Sequence, residues 1–273
     1  MCSLFRSLSR SISSWLSRLP RALACLTLAL CSLPAWAQDY AREKRWADEV
    51  TPALVVGDAV MIKAASGHEF LALYAEAARP RATIVIVHGI GVHPDHGVIG
   101  VLRTRLVDQG YSTLSIQMPV AAADAGQEAY PPLFADAADR IAKAAQWLGA
   151  KGQTRLVLLS HSLGSRMANA YLDGVAPPAA SPFAAWVALG LGQPYSAATP
   201  RYPFPILDVY GEQDLPAVRE TAAQRKAALN ILKGSRQTML ARADHFYTGQ
   251  ETALVATVDD FLSETVAKPV TAK

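Results

Sequence analysis

The run Ala82–His88 (ATIVIVH) is apolar or β-branched at nearly every position. A strand with one wet face alternates polar and apolar residues. A strand without that alternation needs cover on both faces, as in a parallel sheet flanked by helices. Arg155–Ser160 (RLVLLS), Ala184–Leu189 and Ile206–Tyr210 read the same way. Segments with helical spacing lie between them: Val98–Gln109 ending at Gly110, Ala135–Leu148 ending at Gly149, Ser162–Asp173 ending at Gly174, and Ala217–Leu232. Tyr111–Ile116 and Arg236–Ala241 add strands, and Glu251–Glu264 adds a last helix. Ala59–Ala64 and Glu69–Tyr74, joined by Ser66-Gly67-His68, predict an opening hairpin. This order predicts an α/β protein, a mostly parallel central sheet with helices on both faces.

The 273 residues contain no repeat and no evident linker, so one domain is expected over residues 53–267. Residues 38–52 read as an N-terminal leader or short helix, and 268–273 as a tail. Residues 1–37 read as a cleavable signal peptide: basic residues up to Arg21, the apolar run Ala22–Leu33, then Ala35-Trp36-Ala37 before Gln38. That run is too short for the ~20 residues that cross a bilayer. A lipid anchor on Cys25 or Cys31 is the alternative. All three cysteines lie in this segment, so the mature chain has no thiol for disulfide, nucleophile or metal. Four of the 26 basic residues lie there too, which leaves 22 against 23 acidic ones. The balance gives no support to nucleic-acid or anionic-membrane binding. A bacterial periplasmic or secreted location is expected.

In Leu158-Leu159-Ser160-His161-Ser162-Leu163-Gly164 a buried strand runs directly into a helix, with Ser162 at the joint. The nucleophile turn G-x-S-x-G has that setting. Gly164 fits it and Ser160 replaces the first glycine. A serine that only caps a helix would look similar. The turn His88-Gly89-Ile90-Gly91 follows an earlier buried strand and can aim a backbone N–H at a developing oxyanion. The expected donors are the N–H groups of Ile90 and Leu163. A nucleophilic serine needs a base, and the base an orienting acid. His245 follows the last strand and Asp214 follows Ile206–Tyr210. The chain order is then Ser162, Asp214, His245, the order of one hydrolase class. Asp208 is a rival acid, and Asp244 a weaker one because chain neighbours point apart. His161 is expected to pack or line a pocket.

The segments VIVHGIG (Val85–Gly91), LLSHSLGS (Leu158–Ser165), VYGEQD (Val209–Asp214) and ADHFY (Ala243–Tyr247) resemble the α/β-hydrolase superfamily over most of the chain. His93-Pro94-Asp95 followed by Gly97-Val98-Ile99-Gly100 is similar to a group of exported proteobacterial members of unassigned function. The resemblance implies a Ser162/Asp214/His245 triad and an Ile90/Leu163 oxyanion hole. It also implies a serine hydrolase of small acyl substrates with no cofactor; carboxylic ester is the favoured bond because it needs the least leaving-group assistance, and thioester and amide stay open. Tyr130, Phe134, Tyr195 and Phe246 are the aromatic pocket residues expected. His93, Asp95 and His96 are too few and too loosely spaced for a catalytic metal, so none is expected. A lip over the oxyanion turn suits that run better. No protein partner is specified. Two other readings stay open: a non-catalytic envelope protein keeping the fold, and a nucleotide-dependent oxidoreductase. The latter lacks the G-x-G-x-x-G that should open a helix.

Overall fold

A computed structural model describes residues 38–196 and 202–266. The expected signal peptide (1–37) and the C-terminal tail lie outside these residues, as do positions 197–201 of one expected site loop. The strands are β1 (Asp58–Lys63), β2 (Glu69–Ala75), β3 (Thr83–Val87), β4 (Ser112–Ile116), β5 (Leu156–His161), β6 (Phe183–Leu189), β7 (Ile206–Gly211) and β8 (Arg236–Leu240). They form one eight-stranded sheet in the order β1-β2-β4-β3-β5-β6-β7-β8. β2 is antiparallel to β1 and β4, and every pairing from β4 through β8 is parallel. The helices are α1 (Tyr40–Ala53), α2 (Gly97–Asp108), α3 (Phe134–Ala150), α4 (Leu163–Gly174), α5 (Pro216–Leu229) and α6 (Glu251–Thr265). Each strand and helix expected from hydrophobic periodicity is present, with ends shifted by a few residues.

The continuous apolar strands are continuous because both faces are covered. In β3, Ile84 and Ile86 pack toward α2 and α6, against Leu102 and Val258, while Val85 and Val87 pack toward α3 and α4. In β5, Val157 and Leu159 join the first core, and Leu156 and Leu158 the second. The same alternation turns Asp208 away from Leu207 and Val209 and toward α5, where Arg225 meets it.

Parallel register then brings the strand ends together. Val87 of β3 lies opposite Ser160 of β5, Ser160 opposite Ala188 of β6, and Ala188 opposite Asp208 of β7. The turns leaving β3, β5, β7 and β8 therefore emerge along one rim of the sheet. This is the edge at which parallel α/β sheets place their ligands.

The segment expected to precede the domain is α1, and it is built into the packing. Asp39 caps it by accepting the Arg42 N–H at 2.8 Å. Val50 packs on Leu71 and Leu73. Glu43, 4% exposed, receives Arg140 of α3 through two bonds of 3.0 and 3.2 Å. The same guanidinium donates to the Gln117 carbonyl at 2.8 Å. One buried ion pair thus ties α1 and α3 to the end of β4. Breaking such a pair from one side costs ~3–5 kcal/mol, because the other charge stays buried. Glu43→Leu is expected to lower Tm by roughly 10 °C in calorimetry. Glu43→Leu with Arg140→Met is expected to recover most of that loss.

Candidate functional site

Ser162 lies between β5 and α4 with φ 57° and ψ −123°. This is a left-handed backbone that a residue with a Cβ rarely adopts, at a strain of order 1–3 kcal/mol. Several contacts fix it. The Ser162 N–H donates to the Leu189 carbonyl at 2.9 Å, and the Ser165 N–H donates to the Ser162 carbonyl at 2.9 Å. Gly164 lets α4 pass over the end of β3: a Cβ there would lie 2.3 Å from the His88 carbonyl oxygen.

Ser160, the departure from the glycine pattern, has its own bonding. The Trp186 indole N–H donates to Ser160 Oγ at 2.9 Å. Ser160 donates to Ser165 Oγ at 3.1 Å, and Ser165 donates to the Leu189 carbonyl at 3.0 Å. Ser160, Ser165 and Trp186 are fully buried. The chain of hydroxyls ends on the same carbonyl that receives the Ser162 amide.

His245 and Asp214 meet Ser162. The Ser162 hydroxyl donates to His245 Nε2 at 2.8 Å, and His245 Nδ1–H donates to Asp214 Oδ1 at 2.6 Å. Asp214 is 2% exposed. Burial pushes its carboxyl up, but bonds from His245 and from the Gly211 and Leu215 amides outweigh that and hold it below the usual carboxylate range. Gly190, at φ +56°, gives the imidazole room, since a Cβ there would sit 2.9 Å from His245 Cε1. Asp208 does not reach His245. It is held by Arg225 Nε at 2.8 Å and Gln237 Nε2 at 2.9 Å in full burial. Asp244 accepts the Phe246 and Thr248 amides and shapes the turn that carries His245.

Two further histidines brace this arrangement. His161 Nε2–H donates to the His245 carbonyl at 2.9 Å, and the two rings lie 5.0 Å apart. Burial, then the nearby His245, brings His161 down to about 4, so its imidazole is neutral near pH 7. His88 is also fully buried, and that burial brings it down to about 3. Its Nδ1–H donates to the Gly89 carbonyl at 2.8 Å and its Nε2 accepts the Met118 N–H at 2.8 Å. The His88 ring thereby joins the turn after β3 to the end of β4.

The turn is held from α1 as well. Arg42 donates to the Gly91 carbonyl at 3.1 Å and the Ala121 carbonyl at 3.2 Å, with its guanidinium 4.6 Å over the Trp46 ring. Ile90 sits within this turn. Leu163 is the first residue of α4, where amides have no acceptor inside the helix. Asp95, from the run of histidines, pairs with buried Arg103 at 2.8 Å. Among the described residues no three His, Asp or Glu side chains converge as a metal site.

Ser162 and His245 open onto a cavity of about 430 Å³. Ile90, His96, Val98, Ile99, Leu215 and Phe246 contribute to its wall. His96 comes from the run expected to form a lip. Of the four aromatic residues expected in the pocket, Phe246 lines it and the other three do not. Tyr130 is buried in the core, Phe134 packs against that core, and Tyr195 packs edge-on against Trp186 at 5.4 Å. Tyr130 and Tyr195 are buried under their own loops, and Phe134 stands half-buried at the start of α3. The wall residues from the start of α2 carry no local signal in the sequence beyond an ordinary apolar helix face. A larger groove of about 1170 Å³ lies between α1 and the β1–β2 hairpin, and Ser162, Asp214 and His245 do not line it.

Known proteins agree with this architecture. Dienelactone hydrolase from Anabaena variabilis is 20% identical with a TM-score of 0.60, over 76% of this chain and 97% of that one. Est1E from Butyrivibrio proteoclasticus is 16% identical with a TM-score of 0.59, over 77% and 99%. An α/β serine hydrolase without a lid from Xanthomonas campestris is 13% identical with a TM-score of 0.58, over 79% and 98%. The chain has the α/β-hydrolase fold. Its residues 20–138 match a family described as a protein of unknown function (DUF3530). That match takes in α1 and the turn after β3, and ends before Ser162, Asp214 and His245. No curated protein matches the chain.

Two outcomes follow from the buried polar groups. Ser160→Gly restores the common pattern but leaves the Trp186 N–H without its acceptor. A loss of ~1–3 kcal/mol is expected in denaturant unfolding. For His88 and His161, folding depresses the pKa from 6.5 to about 3 and about 4. Below pH 6.5 the unfolded chain takes up protons at these imidazoles that the folded chain refuses. Stability is expected to fall as pH drops from 6.5 toward 4, with a shallower slope in His161→Gln, as read by thermal scans across that range.

Proposed function

We propose that this protein is an exported serine hydrolase that cleaves a carboxylic ester through an acyl-enzyme. The hydrogen-bonded series Asp214–His245–Ser162, ending on a strained strand-to-helix turn, carries the reading. Ser162 Oγ attacks the carbonyl carbon while His245 Nε2 takes its proton. Asp214 keeps the imidazole proton on Nδ1 and stabilises the imidazolium that forms. The N–H groups of Ile90 and Leu163 receive the oxyanion; one such donor is worth ~2.7–4 kcal/mol. His245 then protonates the departing alcohol. Water, deprotonated by His245, attacks the acyl-enzyme and releases the acid and free Ser162.

The chemistry of the neighbours supports this reading, because solved proteins of this fold include a dienelactone hydrolase, a serine hydrolase and a thermophilic esterase. An ester suits the site because an alcohol leaves with the least assistance. Export rests on the pattern of residues 1–37, with the basic run, the short apolar stretch and Ala35-Trp36-Ala37.

A fluorophosphonate probe is expected to label Ser162, mapped by mass spectrometry, and to leave Ser162→Ala unlabelled. Asp214→Asn is expected to cut ester turnover by about 10³–10⁴-fold while the fold survives. A well-folded chain that takes no label would count against catalysis and for a binding protein that kept the scaffold.

A further inference from the structure

The cavity beside Ser162 has a mostly apolar wall, interrupted by His96, Gln127, Thr248 and Glu251. Ile90 and Val92 come from the turn after β3, and Val98 and Ile99 from the start of α2. Leu215 and Phe246 face in from the turns after β7 and β8. Phe246 and Leu215 are exposed at 62% and 45%, so they form the mouth, while Val98 and Ile99 are buried and form the depth. Among the described lining residues, Glu251 carries the formal charge, and neither Lys nor Arg is present. Glu251 opens α6 and is positioned by its own bond, with Oε1 accepting the Gly249 N–H at 3.1 Å. Arg42, the cation near the turn after β3, is not among the lining residues and is committed to two carbonyls.

Such a wall selects by size and by charge. At roughly 30 Å³ per non-hydrogen atom, water's share of its liquid, the cavity's 430 Å³ holds about fourteen atoms. The ester group uses about four of them. A carboxylate on the acyl chain would leave water for a largely apolar space that already holds one carboxylate and offers no Lys or Arg in return.

Resting on the serine-hydrolase reading above, we infer that the site takes neutral esters of apolar acyl groups about four to eight carbons long. It turns away acyl groups that end in a carboxylate, and Glu251 is the residue that sets this exclusion.

The test compares kcat/KM for p-nitrophenyl acetate, butyrate, hexanoate, octanoate and palmitate, and for the pentanoate against the glutarate monoester. Wild type, Glu251→Gln and Leu215→Trp are assayed at pH 8, each beside fluorophosphonate labelling of Ser162. The wild-type profile is expected to peak between butyrate and octanoate and to fall by about tenfold or more at acetate and palmitate. Pentanoate is expected to exceed the glutarate monoester by about tenfold or more, and Glu251→Gln to shrink that ratio several-fold. The ratio is taken within each protein, so a change in overall activity does not affect it. Leu215→Trp narrows an exposed mouth and is expected to shift the peak to shorter chains. Labelled Ser162 with a flat chain profile, or with a charge ratio that Glu251→Gln leaves unchanged, would overturn the selectivity and leave the hydrolase reading standing. Unlabelled Ser162 with no turnover of any ester would remove the underlying reading, and this inference with it.

Discussion

The backbone at Ser162 is the constraint around which the rest is arranged. A residue with a Cβ at φ 57° persists only where its surroundings over-determine it. Here they do so from three directions. The Leu189 carbonyl receives the Ser162 amide from the side, and Gly164 lets α4 lie against the end of β3 above. Beneath the turn, the buried Trp186–Ser160–Ser165 bonds end on that same carbonyl. The strain lifts the hydroxyl off the sheet and toward His245. The imidazole is then fixed through Asp214 on one nitrogen and through the His161 bond to its own backbone carbonyl. The result is a hydroxyl, an imidazole and a carboxylate with little freedom to rearrange.

Two buried ion pairs lie apart from this arrangement. Arg225 pairs with Asp208 on the α5 side of β7, and Arg140 answers Glu43 behind β4. Burial raises the Asp208 carboxyl, and Arg225 and Gln237 pull it back only in part. Asp214 comes out the other way because three N–H donors converge on it. Two carboxylates six residues apart on one strand and its turn therefore have opposite tendencies, because burial prevails at Asp208 and the donors prevail at Asp214. The cavity in front of Ser162 is spared all of these cations.

Local pattern carried most of the architecture. β3 and β5 announce themselves by apolar runs that leave no wet face, and the joint at Ser162 by a strand without a turn before its helix. Asp214 and His245 were legible because each follows a recognisable strand. Asp208 was ambiguous, since a strand reading cannot say which face a carboxylate takes or that Arg225 waits there. The aromatic loop residues misled for a similar reason: Tyr130 and Tyr195 have the composition of a pocket wall, and only tertiary packing shows that they are buried beneath their loops. The wall supplied by Val98 and Ile99 was invisible because an apolar helix face looks the same whether it meets a core or a cavity. The role of α1 was hidden by distance, as its partners lie in segments that sequence order keeps far apart.

That distance bears on the order of assembly. Glu43 is among the first residues of the described chain, yet the guanidinium it needs is 97 positions further on. Until α3 exists, α1 has a carboxylate to bury without its guanidinium partner, so its docking depends on contacts of high sequence separation. Arg42 reaches the turn after β3 only from the docked helix. A brief undocking of α1, with the sheet intact, would loosen the Gly91 carbonyl before any strand came apart. Sub-global openings of this kind need far less free energy than unfolding the whole domain. The N-terminal helix thus couples the folding of the chain's beginning to the readiness of a site built largely from its second half.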